Sequence, residues 1–460
     1  MPQTVEEWLE ALEDIDDATR EEAATALSKL GDPSTIDSIL SAIEDDYWAV
    51  RAKLGWALAK IGGPKAIDGL VTLFNDSMME VQSEAVQAMS SMGQSVAPRM
   101  ITCLKDTRWK VREQAAKVLG EIKDPQAVQA LSIACRDRDG AVKSAAAEAL
   151  GKIGDSKGIP TLIKLFKDTS KIVRETAGTA LVYIGPASVD ALLETLKDPH
   201  FVVRCHGVRA LGGMTTDYQI GRAWVKEPRV VEALIALLKD PDRAVREDAT
   251  IALGNIGDPA AVDALIETMK DGAVKRHAIA SLGMIGDPRA LPAVLDALKG
   301  KGIHQEGTPT PGCIISEEQL VKEAAATALG HFRHPRVIPD LILLLKDIVL
   351  RDYAAASLVL VGDNAVEPLV SFLHDPEISK VGKESERVLA FATTRLTASS
   401  ALKKVVRETL EKLGWEPALE EKDPTKDIEY TDTSNVLGLE GRFGTSGDFA
   451  KPAKELKIER

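Results

Sequence analysis

One pattern governs this sequence. A basic or polar residue following Val returns at Arg51, Gln82, Arg112, Lys143, Arg174, Arg204, Arg246, Lys275 and Lys322, and Arg20 and Arg351 extend the series after Thr19 and Leu350. The intervals are 31, 31, 30, 31, 31, 30, 42, 29, 47 and 29 residues. Self-similarity at about thirty residues restricts the chain to stacked units of two short elements each, because one such unit cannot bury its apolar face alone. The two longest intervals hold insertions, near 213–227 and 300–319.

The residues around each anchor specify helices. Three positions on, the side chain is small, as at Ala23, Ala85, Ala115, Ala146, Ala177, Gly207 and Ala249. Seven on stands Leu or Met, as at Leu58, Met89, Leu119 and Leu150; ten on is often Ile. With the Val before the anchor, these positions share one helical face, where the small residues admit a neighbouring helix and Leu and Ile fill the remaining space. Many of these helices end in Gly-Asp-Pro (Gly31-Asp32-Pro33, Gly257-Asp258-Pro259, Gly286-Asp287-Pro288). Gly supplies a left-handed C-terminal residue and Pro cannot continue the helix. A second amphipathic helix follows and stops at an Asp six residues before the next anchor: Asp14, Asp45, Asp76, Asp106, Asp137, Asp168, Asp198 and Asp240. This carboxylate ladder is expected to accept turn amides, or to pair with the anchor of its own or a neighbouring repeat.

The pattern VRxxAAxxLGxIGDPxAxxxLxxxLxD resembles the short HEAT-like repeats of the phycobilisome-lyase type, over about residues 1–415. The resemblance implies an all-α fold, a right-handed α-solenoid of about 12 helical hairpins, and leaves function open, since such repeats occur in scaffolds, chromophore lyases and hydroxylases alike. Residues 381–415 predict two further helical stretches, Val388–Leu396 and Val405–Leu413, the second carrying a final anchor at Arg407. Residues 416–460 are polar and aperiodic, and are expected to form a disordered tail or to order only on a partner.

Composition narrows the function classes. The formal net charge of -13 disfavours nucleic acid as a partner. No run of about 18 apolar residues predicts a membrane span, and the acidic amphipathic N-terminus is unlike a targeting peptide. Cys103, Cys135, Cys205 and Cys313 lie far apart without CxxC spacing, which fits reduced thiols in a cytoplasm.

The groove face is expected at the positions one, two and five residues after each anchor, most of them ordinary polar residues. Repeats seven to nine differ, with Cys205, His206 and Arg209, then Glu247 and Asp248, then Arg276 and His277. Both insertions flank this stretch. The first brings Tyr218, Arg222 and Trp224, the second His304 and Cys313. Long loops in a repeat array are usually functional or disordered, so a small-ligand site, if present, belongs here. Helices 8–10 Å apart keep His206 and His277 from sharing one ion easily, and a tetrahedral site needs three or four ligands, so neither metal nor cofactor is expected. A di-iron hydroxylase of the deoxyhypusine type, which uses His-Glu dipeptides at groove positions, is excluded: no histidine here precedes Glu. A phycobilin-lyase role through Cys205, Tyr218 and Trp224 stands as the alternative. Trp56 occupies the groove position five after Arg51, where other repeats carry Lys117, Glu148, Thr179 and Arg209, and is a candidate partner contact. Trp48, Trp109 and Phe201 share a position three before the anchor and are expected to cover the turn edge of the stack. The leading expectation is a non-catalytic scaffold holding a partner protein or peptide in its concave groove.

Overall fold

A computed structural model describes residues 4–213, 227–300, 316–347, 349–374 and 398–414. The chain divides into two compact units, Met1–Leu413 and Gly414–Arg460. Beyond Gly414 the second lies outside the described residues, as do the expected helix at 388–396 and the tail's expected disorder.

The first unit is a stack of helix pairs, with no strand among the described residues. The anchor helices are α2 (Asp17–Leu30), α4 (Trp48–Ile61), α6 (Met79–Ser91), α8 (Trp109–Ile122), α10 (Gly140–Ile153) and α12 (Lys171–Ile184). The series continues with α14 (Phe201–Gly213), α16 (Arg243–Ile256), α18 (Lys275–Ile285), α20 (Glu317–His331), α22 (Arg351–Val361) and α24 (Ala398–Lys412). The intervening helices are shorter, such as α7 (Ala97–Cys103), α9 (Val128–Ala134), α13 (Val189–Thr195) and α15 (Pro228–Leu237). Each anchor helix packs on the next anchor helix, forming one layer, and the short helices pack on the anchor that follows them. The solenoid expected from the repeat is therefore the fold.

Local chemistry explains each boundary. Gly31, Gly154, Gly257 and Gly286 close their helices with φ between 65° and 75°, and Lys123 and Arg333 take the same left-handed role without glycine. The following Asp then accepts an amide two residues on, as Asp32 does from Ser34 at 2.8 Å and Asp258 from Ala260 at 2.9 Å. These bonds start the one-turn 3₁₀ segment that carries Pro. Inside the stack, Ala23, Ala115, Ala146, Ala177, Leu58, Leu119, Leu181 and Leu253 are fully buried. From the short helices Met100, Leu131, Leu162, Leu192, Leu234 and Leu265 meet them.

The closest approach falls one residue beyond the anchor-plus-seven Leu. A Cβ on Gly151 would stand 2.7 Å from the Cα of Ala180, and one on Gly283 2.7 Å from the Cα of Ala328. Only glycine admits the neighbouring backbone there.

One stretch, 171–195, is long and apolar enough by composition to cross a membrane. It is α12 and α13 joined by a 3₁₀ turn at Gly185–Ser188, with Gly185 at φ 80°, and half of its apolar window is buried in the stack. It reads as two packed helices of the array.

Candidate functional site

The anchor ladder comes first because it positions everything else. Arg51 Nη1 donates to the carbonyls of Asp45 and Asp46 in its own turn, at 2.6 and 3.1 Å, while Nε and Nη2 grip the Asp76 carboxylate of the next repeat at 2.7 and 2.9 Å. Arg20 with Asp45, Arg112 with Asp137, Arg204 with Asp240 and Arg246 with Asp271 repeat the arrangement, and Lys143 reaches Asp168. Each carboxylate also accepts the amide two residues on, as Asp76 does from Met78 at 2.8 Å and Asp137 from Asp139 at 2.9 Å. Burial alone would raise the Asp76 pKa, but the bonds from Arg51 and the Met78 amide outweigh it and hold the group below the usual carboxylate range. Both expected roles thus coexist, with the ion pair always made to the following repeat. Asp271 escaped the sequence reading, being four residues before Lys275 rather than six; its signal is the 25-residue offset from Arg246 shared by most other pairs.

Among the described residues Lys275 makes no rung, and Lys322 pairs with Glu318 instead of Asp347. Two further rungs are missing where the repeat has 30 residues instead of 31. Asp106 pairs with Arg108 at 2.9 Å and not with Gln82, while Asp198 pairs with Lys167 at 2.9 Å and not with Arg174. In these two places the residue two after the next anchor reaches back instead. Gln114 Nε2 donates to Gln82 Oε1 at 3.0 Å, and Arg174 Nε donates to His206 Nε2 at 3.2 Å.

The groove differs from expectation in one respect. Position five after the anchor opens onto it in the second to fifth repeats and position one in the third, whereas position two turns toward the neighbouring anchor helix, as at Gln114, His206 and Asp248. A groove cavity of about 540 Å³ is lined by four consecutive anchor helices, among them Trp56, Ser83, Gln87, Lys117, Glu148 and Lys152. Trp56 Nε1 donates to Glu84 Oε2 at 2.6 Å, which fixes the indole across the joint between α4 and α6. Lys152 bridges Glu121 and Glu148 at 2.7 and 2.6 Å, and Lys117 meets Glu113 at 2.8 Å, so the charges lining this groove are largely neutralised in pairs. The Ser90 hydroxyl, also lining the cavity, is buried without a hydrogen-bond partner among the described residues. Further along the stack Tyr183, Ile251, Met284 and Leu360 occupy positions five or nine after their anchors and are exposed.

The candidate residues of repeats seven to nine form a packed polar seam. Cys205 and His206 are 5% and 6% exposed, a correction to their expected place on the groove. The cause is their direction on α14: both side chains point at neighbouring anchor helices. His206 stacks on Phe166 with ring centroids 5.4 Å apart, and burial together with the Arg209 and Arg174 charges lowers its pKa to about 4. It is a neutral acceptor for Arg174. Arg209 Nε donates to Asp248 at 2.9 Å, and burial nevertheless raises the Asp248 pKa. Burial and the adjacent Asp248 push the Cys205 thiol up to about 12, so it is not a thiolate nucleophile. His277 lies 3.3 Å from Glu247 through Nε2; its Nδ1 is buried without a partner among the described residues, and burial lowers its pKa. Arg276 is half-buried. Among the described residues no group of three or more His, Cys, Asp or Glu side chains is placed to hold a metal. Tyr218, Arg222, Trp224, His304 and Cys313 lie outside the described residues.

Comparison with solved structures returns the same architecture. The karyopherin Kap121p bound to the extreme C-terminus of the protein phosphatase Cdc14p aligns at 14% identity and a TM-score of 0.57, covering 89% of this chain and 49% of that one. Kap121p bound to Nup53p aligns at 15% identity and 0.57, covering 89% and 48%, and Kap121p bound to Ste12p at 14% and 0.56, covering 89% and 48%. The chain thus spans about half the length of these karyopherins, and at such identity the likeness is one of fold. No curated protein matches the chain. The family model described as PBS lyase HEAT-like repeat matches residues 321–347. That of HEAT repeats matches residues 5–90, 96–182, 159–221, 189–273 and 231–302, more than half of the sequence. With an anchor ladder, glycine-spaced helix pairs and a match of this extent, the chain belongs to the HEAT-repeat family.

Proposed function

We propose that this protein is a non-catalytic scaffold whose concave face holds a partner protein or peptide. The observation that carries the reading is the groove itself. Four consecutive anchor helices present one continuous cavity of about 540 Å³, with a fixed indole at one end and paired charges along its length. A solenoid offers such a surface at low entropic cost because its backbone is rigid before binding. Trp is favoured at binding hot spots, and Trp56 is pre-oriented by Glu84. The solved karyopherins of similar fold carry peptides or proteins in their complexes, which supports this reading by analogy. The chromophore-lyase alternative draws less support, since the buried Cys205 thiol is poorly suited to attack. Buried free thiols at Cys103, Cys135 and Cys205 suit a reducing compartment such as the cytoplasm.

The test is site-specific photo-crosslinking in the native host from Gln87 in the groove and from Asp190 on α13, outside it. A defined adduct from Gln87, lost in Trp56→Ala and absent from Asp190, is the expected result. Equal labelling from both positions would sink the proposal.

A further inference from the structure

The turn preceding each anchor helix carries a second surface, distinct from the groove. Ile15 is 98% exposed, Met79 78%, Trp109 43% and Trp48 37%. These residues recur three to five positions before successive anchors, so they form a row along one edge of repeats one to four. Aromatics that merely sealed the turns would be buried, and these are not. The rings of Tyr47 and Trp48 lie 6.2 Å apart, a paired aromatic surface at the second repeat.

Charge along this edge is negative in repeats one to three, whereas in repeat four Trp109 stands between Arg108, which pairs with Asp106, and Lys110. Between the second and third repeats a cavity of about 430 Å³ is lined by Trp48 and Met78 together with Glu44, Asp45, Asp46 and Asp76. Its one cation, Arg51, is spent: Nε and Nη2 bind Asp76, and Nη1 binds the Asp45 and Asp46 carbonyls. Asp45 belongs to Arg20. The nearby Lys110 ammonium is tied to the Asp76 carbonyl at 3.0 Å. Glu44 and Asp46 are exposed and make no ion pair among the described residues. One repeat earlier Glu13, Asp14, Asp16 and Asp17 surround Ile15, and among the described residues only Asp17 is bridged, to Arg20.

We propose that this edge of repeats one to four docks a basic, amphipathic segment of a partner protein. Lys or Arg side chains lodge at Glu44 and Asp46 with their stems along Trp48, and apolar side chains rest on Ile15, Met79 and Trp109. The chemistry is specific in two ways. A cation over an indole beside unpaired carboxylates is favoured by both, and an aliphatic stem covers apolar surface that a small ion would leave wet. Anchor helices step 8–10 Å per repeat, so the row spans roughly 25–30 Å, the length of a helix of about 18 residues. An acidic segment or nucleic acid meets like charge here. The proposal stands apart from the groove reading, since it uses none of the groove residues.

The experiment measures fluorescence anisotropy of a labelled 18-residue helical peptide with Leu on one face and Lys on the other. The probe is titrated with the full chain at fixed low salt. An isomer of identical composition, scrambled to remove the apolar face, is the control. Binding by the amphipathic peptide at least tenfold tighter than by the scrambled one is expected. A loss of tenfold or more is expected in Trp48→Ser and in Asp46→Lys, with Trp56→Ala unchanged; Asp46→Lys alters only an exposed side chain and guards against a folding defect in the first variant. Equal binding of the scrambled isomer, unchanged binding in Asp46→Lys, or loss in Trp56→Ala would each overturn the assignment, the last by placing the peptide in the groove.

Discussion

Removing one rung of the anchor ladder loosens a single joint, and Arg112 gives the sharpest case. Its side chain is 7% exposed and that of Asp137 13%, and the pair is bidentate at 2.7 and 2.8 Å. Nη1 also holds the Asp106 and Thr107 carbonyls at 2.8 and 3.1 Å. Arg112→Met keeps most of the stem's packing but strands the Asp137 carboxylate, which retains only the Asp139 amide among its stronger partners. Breaking a buried pair from one side costs about 3–5 kcal/mol. The retained amide and the residual solvent access put this case at the lower end, ~3 kcal/mol. Because a repeat array opens piecewise, the assay is native-state hydrogen exchange of the amides in α8 and α10. A change of ~3 kcal/mol lowers their protection about 10²-fold. Arg112→Met with Asp137→Leu removes both charges and returns protection to within about tenfold of wild type. Protection in the single variant within threefold of wild type would refute the view that the ladder clamps the repeats.

Gly151→Ala puts a methyl 2.7 Å from the Ala180 backbone and is expected to destabilise by ~1–3 kcal/mol, whereas Gly178→Ala, whose nearest neighbour is Phe166 at 3.9 Å, is expected to stabilise by up to ~1 kcal/mol; urea midpoints of the two variants decide. His206 is neutral when folded, with a pKa of about 4, while the unfolded imidazole takes up a proton below about 6.5; its contribution is therefore complete above pH 6.5 and lost as pH falls toward 4, by up to ~3 kcal/mol. His206→Phe should flatten the stability profile in that window, and a profile unchanged by the substitution would show that the imidazole does not titrate as argued. Lys275 is 7% exposed without a carboxylate partner among the described residues, and burial lowers its pKa, so Lys275→Met is expected to raise the thermal midpoint.

Much of this architecture was legible because a repeat states its rule many times. The Val, the small residue three after the anchor and the Leu seven after it each recur often enough to separate the packing face from the rest, and the structure buries them as read. The direction of the second position was less legible. Sequence spacing places it between the groove and the neighbour, and which way it turns depends on how near the adjacent helix stands. Gln114, His206 and Asp248 turn toward the neighbour, finding Gln82, Arg174 and Arg209 there. The glycine at position eight was visible as a residue, but its task, admitting the next backbone within 3 Å, belongs to the packed pair and to no single helix. Trp56 was legible from its register alone, as the bulky apolar exception at an otherwise polar position.

The two short repeats tie these observations together. A repeat of 30 residues carries its carboxylate 24 positions after the anchor instead of 25, and in both cases the rung is lost. Those same two interfaces, α6 with α8 and α12 with α14, pack less extensively than any other pair of consecutive anchor helices from α2 to α22. One missing residue therefore acts twice, removing a bridge between neighbours and reducing the surface they share. In a stack where stability is a sum of nearest-neighbour terms, such joints are where the array opens first. The groove cavity lined from α4 to α10 spans the first of them, at Ser83, Gln87 and Lys117. A partner gripping both sides of that joint would supply across the groove the connection that Gln82 and Asp106 do not make, so binding and stiffening of the solenoid would be one event.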